Sequence, residues 1–82
     1  MPRTEPLPEK EIQNITNALK AEIARVGLNI SETAKLLRDK YESSDTAESL
    51  ARQIRQGTIP YWKILRIADV LGYEIVWKKK GE

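Results

Sequence analysis

Asp45-Thr46-Ala47-Glu48-Ser49-Leu50-Ala51-Arg52-Gln53-Ile54-Arg55-Gln56-Gly57 is the stretch on which the reading of this 82-residue chain turns. Ala47, Leu50, Ala51 and Ile54 recur at three- and four-residue steps, the spacing that gathers side chains on one face of an α-helix. The remaining positions, Glu48, Ser49, Arg52, Gln53, Arg55 and Gln56, form a polar face. Asp45 and Glu48 have capping-box spacing, in which two side chains reciprocally satisfy two free backbone N–H groups. Gly57 closes the run, because glycine enters the left-handed conformation that ends helices without a Cβ penalty. The expectation is a short amphipathic helix from about residue 46 to 56, opened by the polar break Glu42-Ser43-Ser44-Asp45.

Upstream, Ile30, Ala34, Leu37 and Tyr41, with Thr33 alongside, give a second helical face, capped by Asn29 or Ser31. Asn29 and Glu32 are again in capping-box register. Earlier still, Ile12, Ile15, Leu19, Ile23 and Val26 make one stripe, with Glu9 and Glu11 placed to favour the positive end of the helix dipole. Pro8 at the cap would let Leu7 staple against Ile12. Residues 1–7, with Pro2 and Pro6, read as an extended or disordered lead-in.

Downstream, Pro60 suits a helix start. Tyr61, Ile64, Leu65, Ala68 and Leu71 form the next stripe, ended by Gly72. The period then changes: Tyr73-Glu74-Ile75-Val76-Trp77-Lys78 is β-branched and aromatic, which predicts one short strand over 73–78. Residues 79–82 read as a frayed tail. The expected fold is mainly α: one domain over 1–82, a four-helix helix-turn-helix arrangement with one C-terminal β-strand. Ile54 and Leu65, central in their stripes, are expected to be fully buried.

Composition removes several functions. Without cysteine or histidine there are no disulfides, no zinc site built on those ligands and no imidazole-based triad. The carboxylates are spread over polar helix faces and the glycines stand apart, so neither a paired-carboxylate site nor a phosphate-cradling loop is present. No enzyme, metal or cofactor is expected. No apolar run approaches the roughly 18 residues of a membrane span, nor does the start resemble a signal peptide, which points to the cytoplasm. The net charge of +2 is modest, but residues 1–48 hold seven Lys/Arg against nine Asp/Glu, and residues 49–82 seven against three. A basic second half suits a polyanionic partner or, equally, a solvated surface with a lysine-rich tail.

On the helix over 46–56, arginine and glutamine are the side chains that reach guanine and adenine edges bidentately. They are also good helix formers, so a plain solvent-facing helix is the competing reading. The neighbouring segments carry a resemblance. Gly27 to Leu37 resembles the second helix of Cro/phage-repressor-like (XRE-type) regulators, in which a Leu, a capping residue and a buried Ala recur. Arg52-Gln53-Ile54-Arg55-Gln56-Gly57 is similar to the end of that family's recognition helix, and Ile67-Ala68-Asp69-Val70-Leu71-Gly72 looks like the close of its next helix. The resemblance spans residues 18 to 72 and departs at one point. Ala34 and Gly57 stand farther apart here, the excess falling in Leu37 to Asp45 as a longer helix, a longer turn, or both.

The resemblance implies a sequence-specific regulator of double-stranded DNA, with Glu48, Ser49, Arg52 and Gln53 at base-reading positions. Gln56, Thr58, Tyr61 and Lys63, with Arg55 beside them, match positions that grip phosphates. Tyr61, Trp62, Tyr73 and Trp77 are aromatic at spacings that suit a core better than base stacking, although Trp62 falls beside its stripe and is expected half exposed. A lone strand leaves unpaired backbone groups, so Tyr73, Ile75, Val76 and Trp77 are expected to join two copies into a homodimer. The alternative is a protein–protein module, such as an antitoxin or inhibitor, on the same fold.

Overall fold

A computed structural model describes residues 7–81 of the chain. Four helices follow one another: α1 (Glu9–Arg25), α2 (Ile30–Tyr41), α3 (Ala47–Gln56) and α4 (Tyr61–Leu71). α2 packs on both α3 and α4, and α1 packs on α3. The shared core is small: Ala34 and Leu37 from α2, Leu50 and Ile54 from α3, and Ile67 from α4. Thr33 is buried with them, and its hydroxyl donates to the Asn29 carbonyl at 2.9 Å, so it needs no partner elsewhere. Among the described residues no buried side-chain nitrogen or oxygen lacks a hydrogen bond.

The helix ends follow local chemistry. Pro8 caps α1, its carbonyl accepting from the N–H groups of Glu11 and Ile12. Asn29 caps α2 through the reciprocal bonds with Glu32 that its spacing predicts. α2 ends at Glu42, whose φ of 55° makes it a non-glycine residue in the left-handed region. Gly57 ends α3 at φ 71°, and a Cβ there would lie 3.1 Å from Ile12 Cγ1 and 3.2 Å from Leu7 Cδ1. The positive φ favours glycine, and a side chain there would also crowd Ile12 and Leu7. Leu7 and Ile12 meet over this glycine, so the staple at the start of α1 is also a clasp on the end of α3.

Four sequence expectations are corrected. The cap of α3 is Thr46 with Ser49, not Asp45 with Glu48: Thr46 Oγ1 accepts from the Ser49 N–H at 3.0 Å, and Ser49 Oγ from the Thr46 N–H at 2.9 Å. The shift by one residue releases the Asp45 carboxylate for other partners. Leu65 is 41% exposed, and Ile67, at 1%, takes the central place. The inward face of α4 centres on Ile67, with Val70 and Leu71 packed against the shared core and Ile64 and Ala68 turned toward Leu19 of α1; Tyr61 and Leu65 are on the exposed side. Val26 is not part of the α1 stripe but its C-cap, and it is exposed.

The fourth correction concerns Tyr73 to Lys78. Among the described residues there is no strand; residues 73–79 have no regular secondary structure. A strand is defined by a ladder, and among the described residues no second segment pairs with this one. The tail instead touches α4: Trp77 Nε1 donates to the Tyr61 hydroxyl at 3.2 Å, their rings tilted at 6.3 Å. Tyr73 and Ile75 line a cleft of about 320 Å³ with Leu19, Ile64, Ile67 and Leu71. The residues read as lead-in lie outside the described ones except for Leu7, and Glu82 of the tail is also outside them. Among the described residues no helix is long and apolar enough to cross a membrane.

Candidate nucleic-acid interface

The outer face of α3 carries side chains of two kinds. Glu48, Arg52, Arg55 and Gln56 are exposed, whereas Ser49 and Gln53 are half-buried. The difference follows from Asp45, released by the shifted cap. Its Oδ1 accepts from Ser49 Oγ at 3.0 Å and from Gln53 Nε2 at 2.9 Å. Its Oδ2 lies 2.6 Å from Lys63 Nζ, and the same ammonium donates to Gln53 Oε1 at 2.8 Å. The Asp45 and Lys63 side chains are only 14% and 12% exposed, so this is an ion pair largely removed from water, joining the start of α3 to α4. Burial pushes the Asp45 carboxyl up, but bonds from Lys63, Ser49 and Gln53, together with the Lys63 charge, outweigh it and hold the group below the usual carboxylate value.

Of the positions matched to base reading, Glu48 and Arg52 therefore reach solvent, while Ser49 and Gln53 spend their polar atoms inside the molecule. Of the phosphate-matched positions, Arg55, Gln56, Thr58 and Tyr61 are exposed. Lys63 is not; its charge is met by Asp45. Arg52 and Arg55 form no ion pair with any described carboxylate.

A second group continues from Lys63 along α4. Lys63 Nζ is 5.3 Å from the Trp62 ring centroid, and the Arg66 guanidinium carbon is 4.9 Å from the same ring. The Arg66 guanidinium is also 4.7 Å from the ring of Tyr41, at the end of α2. The Tyr41 hydroxyl donates to Asp69 at 2.5 Å, and Lys40 pairs with the same carboxylate. Bonds from Lys40 and Tyr41 lower the Asp69 carboxyl, and the bond to Asp69 raises the Lys40 ammonium in turn. Trp62 is 53% exposed, in line with its place beside the α4 stripe.

Asp45, Tyr41 and Arg66 have no place in the sequence-derived site. Trp62 and Arg66 stand four residues apart on one helix, the spacing at which cation and ring meet, and that signal is present in the sequence. Asp45 and Lys63 are too far apart in the chain for any local rule. Among the described residues no group of acidic side chains is placed to hold a metal ion. Comparison with protein-family models, curated proteins and solved structures finds no match to this chain.

Proposed function

We propose that the protein is a transcriptional regulator of the helix-turn-helix kind, most simply a repressor acting in the cytoplasm, which lays α3 in the major groove of double-stranded DNA. The observation that carries this reading is Arg52. It stands exposed on α3 beside Arg55 with no described carboxylate to neutralise either, while its neighbours on the helix are tied down by Asp45. An exposed guanidinium on a helix is suited to the bidentate recognition of guanine. In this reading Arg52 does most of the base discrimination, with Glu48 beside it. Gln53 and Ser49 fix the helix, and Arg55, Gln56, Thr58 and Tyr61 contact phosphates.

The exposed tail residues Ile75, Val76 and Trp77 support a homodimer, since two copies of the segment could pair as strands and cover apolar surface that a single chain leaves wet. The dimer would read a palindrome with half-sites about 34 Å apart or a multiple of it. The same apolar surface, with Glu48 on α3, favours the second reading, a module that binds a protein such as a toxin or an enzyme. Titration with random duplex DNA at several salt concentrations separates the two. A DNA regulator loses affinity linearly in log–log form as counterions compete, whereas a protein-binding module shows no duplex binding of that kind.

A further inference from the structure

We infer that Arg66, held against the rings of Tyr41 and Trp62, is the residue with which α4 grips the nucleic-acid backbone. The inference rests on the DNA reading above and deepens it. Charge pairing comes first. The α2–α4 side of the molecule presents Lys40, Lys63 and Arg66, with Asp45 and Asp69 among them. Lys40 is taken by Asp69 at 2.5 Å and Lys63 by Asp45 at 2.6 Å, which leaves Arg66 as the cation of this group with no described carboxylate in reach. Its surroundings are aromatic, and ring faces attract a cation without accepting its N–H groups in the plane of the guanidinium. The forked donors are thus oriented and, among the described residues, unspent, the state suited to two oxygens of one phosphate.

Placement comes second. Lys63 reaches the first turns of α3 through Asp45 and Gln53, and Arg66 lies one helical turn farther along α4, sharing the Trp62 ring with Lys63. A phosphate at Arg66 would therefore flank a groove entered by α3. The parts that hold Arg66 are themselves held: Asp69 fixes the Tyr41 hydroxyl, and Lys40 fixes Asp69. Tyr41 and Lys40 form the last turn of α2, and that turn lies against α4 and builds this support.

The test measures duplex affinity against salt for the full-length protein and for Arg66→Gln, Arg66→Lys and Trp62→Ala, with circular dichroism showing each folded. Arg66→Gln is expected to weaken every duplex alike, by about tenfold, and to reduce the salt slope by about one unit. Arg66→Lys should keep the slope yet recover only part of the affinity, because an ammonium lacks the fork. Trp62→Ala should also keep the slope while losing affinity. An unchanged slope in Arg66→Gln overturns the inference alone, provided the wild type is salt-dependent and Arg52→Ala shifts its site preference. A wild type with no salt-dependent duplex binding overturns the DNA reading and this inference with it.

Discussion

Replacing Lys63 by methionine keeps the length and aliphatic character of the side chain but removes the ammonium from its place between Asp45 and Gln53. Deleting one partner of a buried ion pair costs about 3–5 kcal/mol where the other is stranded in a dry interior. The Asp45 side chain keeps 14% of its surface exposed and two further donors, Ser49 and Gln53, so the expected loss is about 2–3 kcal/mol. For a domain of this length that corresponds to a fall of about 10–20 °C in Tm. Asp45→Asn should cost a similar amount, by stranding the lysine instead. The double variant, with neither charge, should lie within about 1 kcal/mol of the wild type, because a buried pair gains little over a neutral replacement. Urea denaturation of the four proteins provides the cycle. Additive losses, or a Lys63→Met loss below about 0.5 kcal/mol, would refute the reasoning, since exposed ion pairs behave that way. Lys63→Met should also leave the salt slope of DNA binding unchanged, because its charge is already met by Asp45.

Arg52→Ala should weaken the preferred site by about 1–3 kcal/mol and relax choice at one base position, read by selection from random duplexes before and after the change. Ile67→Ala should cost about 2–5 kcal/mol in urea, and Leu65→Ala less than about 1 kcal/mol, since the first side chain is enclosed and the second stands half in water. A chain truncated after Gly72 should sediment as a monomer and bind a palindrome more weakly; unchanged mass and affinity would remove the tail from the dimer contact. The Asp45 carboxyl is held below its usual value in the folded protein. Its contribution is thus present above the unfolded pKa of about 3.9 and lost as pH falls through the lower folded value. Stability below pH 4 should consequently fall less steeply in Asp45→Asn than in the wild type.

The four helices were legible because each carries its own period and punctuation. Asn29 with Glu32, and Gly57 after Gln56, act within a few residues of where they stand. The register of α4 was not legible. Tyr61 and Leu65 fit the helical period as well as Ile64 and Ile67 do, and only the placement of the neighbouring helices decides which flank is enclosed. The cap of α3 was not legible for a related reason. Asp45 and Thr46 are both good caps, and the tie is settled by Lys63, eighteen residues from Asp45 in the chain. That pair also sorts the site: Arg52 and Gln53 look alike as base readers in the sequence, and tertiary pairing leaves the first exposed and binds the second. The extended tail shows the opposite limit, since its β-branched composition describes what the backbone favours, while a strand needs a neighbour to pair with.

α3 is gripped at both ends by side chains of different helices. Lys63 of α4 holds its start through Asp45. At its finish, the Thr16 hydroxyl of α1 donates to the Ile54 carbonyl at 3.2 Å, and Leu7 and Ile12 close over Gly57. A segment fastened in this way frays little, so the amide hydrogens of Leu50 to Gln56 are expected to exchange only when the whole domain opens, while those of residues 74–81 exchange faster. The conformational entropy of holding α3 in one orientation is then settled when the chain folds, and a partner that meets this helix need not supply it on binding.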